Sequence, residues 1–169
     1  YEMKTITGAV IGALLATPVV ADVIVRFDEG APTDRFTFMS TDHCLTGPIG
    51  LTVDLSGSLA GLIFDVTPAG AGVDVFQPFV LVAGQDLVSS LPEVRDGDTV
   101  LNIGLKNMIA NQPVAFTIDV DDTTGGREIT VSDAEISGAT VTLTNGSMSF
   151  PAVFSDQATA LIKTPDCTS

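Results

Sequence analysis

Apolar and polar residues alternate with a period of two through most of this chain, and that rhythm predicts β-strands. Val23, Val25 and Phe27 alternate with Ile24, Arg26 and Asp28, and Phe36 and Phe38 with Arg35, Thr37 and Met39. Leu51, Val53 and Leu55 form a third set, Leu62, Phe64 and Val66 a fourth, and Val73 and Val75 a fifth. Leu101, Ile103 and Leu105 follow, then Val114, Phe116, Ile118 and Val120, the clearest run. Ile129 with Val131, then Ala139, Val141 and Leu143, then Met148 and Phe150, and finally Leu161 complete the inward series.

The punctuation between these runs is turn chemistry. Glu29-Gly30-Ala31-Pro32, Thr46-Gly47-Pro48, Asp96-Gly97-Asp98 and Thr123-Thr124-Gly125-Gly126 all interrupt the alternation with residues that favour turns. Asn145-Gly146 predicts a type I′ hairpin, which needs positive φ at both central residues, and Ser56-Gly57-Ser58 predicts a second hairpin. Only Leu105, Met108 and Ile109 have helical spacing, enough for one turn. Many short strands with regular turns predict an all-β fold, a single antiparallel β-sandwich whose two sheets bury the inward sets. No boundary or repeat divides residues 22–169.

The first 21 residues read differently. Lys4 precedes an apolar run from Ile6 to Ala16, a Thr17-Pro18 breaker, and Val19-Val20-Ala21. That is the order of a cleavable signal peptide, which makes Asp22 the start of the mature domain and Met3 the start of translation. The run is shorter than the roughly 20 residues of a membrane span, and no later stretch is long enough. The expected product is soluble and secreted, to the periplasm or beyond. Cys44 and Cys167 are the only cysteines, and in an exported chain they read as a disulfide. A bridge across so long a loop is worth about 5 kcal/mol in the chain-entropy treatment.

Net charge is −14, which repels nucleic acid and anionic membranes and suits divalent cations. The densest acidic stretch is Asp119-Val120-Asp121-Asp122, followed after two glycines by Arg127 and Glu128. On a strand, Asp119 and Asp121 share the outward face, Asp122 enters the turn, and a returning hairpin brings Glu128 alongside. Asp119, Asp121, Asp122 and Glu128 are therefore candidate ligands for Ca2+, which takes six to eight oxygens. The stretch lacks the glycine and terminal glutamate of an EF-hand loop. A solvated hairpin end with Asx-turns, paired with Arg127, is the competing reading. Asp65 and Asp74 flank the glycine-rich turn at 69–72 and join the site if that loop folds inward.

Catalytic motifs are sparse. His43 is the only histidine, no Gly-x-Ser-x-Gly elbow exists, and one histidine with two oxidised cysteines leaves too few ligands for zinc. The chain has no tryptophan, and its one tyrosine is Tyr1, which weakens a sugar-stacking platform.

Three stretches carry a resemblance: 31–36, 62–79, and 116–122 followed by 129–139. Together they resemble bacterial proteins, common in marine alphaproteobacteria, described as similar to the core protein of the sponge aggregation factor. The resemblance implies calcium-dependent extracellular adhesion through core domains that assemble into rings. The resulting expectation is a non-enzymatic exported module for adhesion or assembly, with self-association or an extracellular glycan or protein as partner. A carbohydrate- or peptide-binding module is the alternative, and a hydrolase using paired carboxylates is a third reading.

Overall fold

The computed structural model describes residues 21–41, 45–68, 76–124 and 131–165. Among them are β1 (Ala21–Asp28), β2 (Asp34–Ser40), β3 (Ile49–Asp54), β4 (Ile63–Phe64), β5 (Val80–Ala83) and β6 (Val88–Ser90). There follow β7 (Val100–Leu105), β8 (Val114–Ile118), β9 (Val120–Asp121), β10 (Thr140–Asn145), β11 (Met148–Val153) and β12 (Thr159–Thr164). No helix occurs among the described residues, and none is long and apolar enough to cross a membrane. The strands form one five-stranded sheet in the order β12-β1-β2-β8-β5 and a second in the order β11-β10-β3-β7-β6. The ribbon β4-β9 stands apart from both, and every pairing is antiparallel.

The expected antiparallel sandwich is the fold observed. Each sheet turns its alternate apolar residues to the other, because a period of two places i and i+2 on one face. Val23, Val25 and Phe27 of β1 meet Leu51 and Val53 of β3, Ile103 of β7 and Leu143 of β10 in one buried core. Phe36 is the hub of an aromatic cluster. It faces Phe27 (4.9 Å between centroids) and Phe116 (5.1 Å) as direct cross-strand neighbours, and Phe154 edge-on at 6.3 Å. Cross-strand aromatic pairs add to their burial, and truncating such a side chain to alanine costs about 3–5 kcal/mol.

Several details depart from the expected pattern. Leu161 points outward while Ala160 and Ile162 are buried, because β12 registers Ile162 against Val23 and Ala160 against Val25. Met148 is exposed and Phe150 half-buried, since β11 is the edge of its sheet. The β10–β11 turn has Gly146 and Ser147 at its centre, with Asn145 opposite Met148. Positive φ there is confined to Gly146 (+59°), the pattern of a type II′ turn with glycine first. Ser56-Gly57-Ser58 makes no hairpin. Both sides of β3 are already taken by β10 and β7, so the chain docks instead through Leu59 N–H to Ser137 O and Ala60 N–H to Glu135 O. Residues 105–109 form no helical turn, and Val131 is buried but lies in no strand. Val73, Val75 and Ile129 lie outside the described residues, as do His43 and both members of the expected disulfide, Cys44 and Cys167. The expected signal segment lies almost wholly outside them too; the expected cleavage after Ala21 falls at the first residue of β1.

Candidate functional site

The acids that the sequence clusters on one strand lie at the end of the sandwich where β8 leaves its sheet. After Ile118 the chain steps through Asp119 to β9, which pairs with β4: Ile63 opposite Asp121 and Phe64 opposite Val120. This step covers both faces of the strand. Asp119 and Asp121 are consequently buried, not outward-facing as the alternation suggests. Asp122 follows at the exit of β9, half-buried. Glu128 and Arg127 lie outside the described residues, as does Asp74.

Backbone hydrogen bonds bring Asp65 into the same place. Asp65 N–H donates to Asp119 O (3.0 Å), Gln77 N–H to Asp65 O (3.3 Å), and Asp119 N–H to Gln77 O (3.2 Å). One residue earlier, Phe64 N–H donates to Asp98 O and Gly97 N–H to Phe64 O, both at 2.9 Å, which ties in the Asp96-Gly97-Asp98 turn. That turn forms as expected, with Gly97 at φ +81° and Asp98 Oδ2 accepting from Arg95 N–H at 2.8 Å. Asp96 reaches back from it: its Oδ1 accepts from Val66 N–H (3.0 Å) and Thr67 N–H (3.2 Å). Three chain segments remote in sequence thus present Asp65, Asp96 and Asp121 to one another.

Asp65 is the most demanding of these groups. Its side chain is 1% exposed, and neither carboxylate oxygen meets a hydrogen-bond donor. Loss of water raises its pKa first, and the neighbouring Asp96 and Asp121 carboxyls raise it further, to about 8. Two facing carboxylates are both acceptors, so they hydrogen-bond only when one carries a proton. Asp119 Oδ2 also lacks a donor, and burial followed by the charge of Asp121 pushes that pKa to about 7. Asp22 Oδ1 on β1 is the other orphaned oxygen among the described residues, away from this end.

Asp34 is a fourth buried acid beside the cluster, and it is differently served. Its Oδ1 accepts from Gly30 N–H (3.1 Å) and its Oδ2 from Val120 N–H (2.9 Å), which links the β1–β2 loop to the start of β9. Burial raises its pKa to about 7 against the lowering effect of those two donors, with Asp119 and Glu29 adding smaller upward pushes.

The donor set is oxygen only, which selects hard cations such as calcium over zinc or copper. Among the described residues no three acidic, histidine or cysteine side chains stand ready-made around one point. A cation bound here would draw on Asp65 with Asp96 and Asp121 one at a time or in pairs, and would have to fill its remaining positions from backbone carbonyls and water.

Three open grooves lie elsewhere, of about 450, 430 and 490 Å³, and none is lined by Asp65, Asp96, Asp119 or Asp121. The first crosses the outer face of the second sheet, over Gly50 and Gly104, beside Thr144 and Asn145. The other two flank Leu91.

Reasoning from sequence missed Asp34 and Asp96. Asp34 is in phase with Phe36 and Phe38, a signal that would have placed it inward. Asp96 had no such signal, because only the fold brings its turn to Asp65. No family model matches this chain, and no curated protein matches it.

Proposed function

We propose that this chain is an exported, non-enzymatic β-sandwich module for extracellular adhesion or assembly, and that it binds a calcium ion through Asp65, Asp96 and Asp121. The observation that carries the cation is Asp65: a carboxylate shielded from water, without a donor, facing further carboxylates. Only a proton or a cation reconciles such a group with its surroundings. A divalent ion can take the place of that proton, because it satisfies several oxygens at once. Asp119, beside Asp121 with an orphaned oxygen of its own, contributes to the negative potential that draws the ion in.

Three supports bear on the rest of the reading. The resemblance to aggregation-factor core proteins implies calcium-dependent adhesion. The signal-like segment at 1–21 implies export. A single histidine and the lack of a Gly-x-Ser-x-Gly elbow speak against nucleophilic catalysis. The alternative, a carbohydrate- or peptide-binding module, has one observation in its favour: the groove over Gly50 and Gly104 is bordered by Thr144, Ser89 and Asn145, which offer hydroxyl and amide groups. Specific retention on a glycan array would favour that alternative.

The test is calorimetry on chelator-treated protein. Calcium is expected to bind, and Asp65→Asn to abolish the heat. No binding at millimolar calcium would sink the cation. Beads coated with the protein are expected to aggregate in calcium and disperse in chelator; beads that stay dispersed in calcium overturn adhesion.

A further inference from the structure

The four outer strands of the two sheets are not protected alike. β12 carries Lys163, and β11 carries Pro151 in its middle; both devices discourage another strand from pairing. β5, the other edge of the first sheet, is Val80-Leu81-Val82-Ala83, with no charge and no proline. A turn at residues 84–87 carries the chain to β6, the matching edge of the second sheet. This side of the sandwich is therefore an apolar rim. Val80 and Val82 are exposed, and Leu91 is 60% exposed on the ridge between two grooves. One groove is lined by Leu81 and Val88, the other by Val66, Phe79 and Pro92.

Charge identifies the occupant. The chain carries −14 overall, yet residues 76–95 contain only three charged side chains, Asp86, Glu93 and Arg95, of which Glu93 lines the second groove. Lys106 sits beside Asp86, its Nζ donating to Asp86 O at 2.9 Å, while Gln112 Nε2 reaches the carboxylate at 3.4 Å, so the two cations Arg95 and Lys106 offset the two acids. The rim is thus locally neutral on an acidic molecule. A basic partner finds its complement elsewhere on this surface. A second copy of the same chain meets little like-charge repulsion here, and of the charge-poor edges β5 and β6 are the ones without a proline.

We infer that the β5–β6 rim is a self-complementary contact between two copies of this chain, β5 lying antiparallel to β5 of the partner copy, with Leu91 of each seated in the Leu81–Val88 groove of the other. A two-fold contact of this kind uses one patch twice and closes on itself. The inference rests on the assembly reading above and is independent of the cation.

Sedimentation velocity over a micromolar concentration series tests it. The wild-type protein is expected to form dimers, and Leu91→Asp and Val82→Lys each to weaken dimerisation by at least about tenfold. Both positions are exposed, so unchanged thermal melts and unchanged calcium calorimetry will show that the variants fold and that the cation site is intact. Leu161→Asp, on the guarded edge β12, is expected to leave the dimer as it is. A wild-type monomer throughout the series overturns the inference, as does a Leu91→Asp dimer of wild-type strength or dimer loss in Leu161→Asp. Beads of the Leu91→Asp variant that still aggregate in calcium would place assembly elsewhere and leave the adhesion reading standing.

Discussion

Asp34 and Asp65 are equally hidden from water, at 2% and 1% exposure, yet they are solved in opposite ways. Asp34 opens a strand and receives one backbone N–H on each oxygen. Asp65 follows a strand and receives none. A buried carboxylate with donors on both oxygens is a structural clamp, here holding the β1–β2 loop to β9. One that faces further carboxylates stores an unfavourable interaction, which the proposed cation would relieve. The comparison teaches that burial and a raised pKa are shared by both groups and do not separate the two roles; the donor count does.

The largest expected effect separates the two by ligand. Calcium that binds only the folded state stabilises it by RT ln(1 + [L]/Kd), about 2.7 kcal/mol at a hundredfold excess over Kd. Urea unfolding in calcium and in chelator is expected to differ by that amount in the wild-type protein and in Asp34 variants, and to coincide in Asp65→Asn. Next in size is Asp34→Ala. It leaves Val120 N–H buried without an acceptor and frees Gly30 N–H, a loss of about 2 kcal/mol. That loss is expected to be the same with calcium and with chelator. A loss confined to the calcium sample would move Asp34 into the ion site and erase the comparison.

The pH dependence of the metal-free protein is a smaller effect of definite sign. Asp34, Asp65 and Asp119 have folded pKa values of about 7, 8 and 7 against 3.8 unfolded. The folded state therefore binds more protons than the unfolded chain between about pH 4 and pH 8, and stability falls as pH rises through that window. The contribution is complete below pH 4 and is lost by pH 8. Calcium bound as proposed would oppose the loss by replacing the proton at Asp65, and acidification would in turn weaken calcium. Asp65→Asn removes one ionisable member of the set. In chelator near pH 8 it is expected to be more stable than wild type by about 1 kcal/mol, a figure reduced for Asp65's position close beneath the surface. A variant less stable than wild type there would show that the Asp65 carboxylate is already satisfied by the protein.

How much of this was legible in the sequence depends on how many faces of each strand are covered. Where one face meets the core and the other meets water, alternation is decisive: Val23, Phe36, Val53 and Ile103 all point as their phase requires. Leu161 shows its limit, since hydropathy favoured leucine over Ala160 while register with Val23 decided the outcome. At Asp119 and Asp121 the rule fails outright, because the step from β8 to β9 covers both faces and phase carries no information there. The acidic site was legible as a stretch of chain but not as a constellation. Asp65 and Asp121 are brought together by a ribbon of two residues on each side, in which Asp121 pairs with Ile63, and Asp96 arrives on a turn some 30 positions from Asp65. No local pattern encodes a meeting of that kind.

The smallest effect sharpens the comparison most. Glu29 is exposed, and its charge is the least of the influences that raise Asp34. Glu29→Gln removes that push without touching either hydrogen bond. The Asp34 carboxyl, followed by carbon-detected NMR titration, is expected to shift to lower pH while Asp65 titrates as before. Stability is expected to move by no more than about 0.5 kcal/mol, the usual range for a surface substitution. If Asp65 shifted together with Asp34, the two corners would be one coupled titrating unit, and the division into a clamp and a cation site would have to be abandoned.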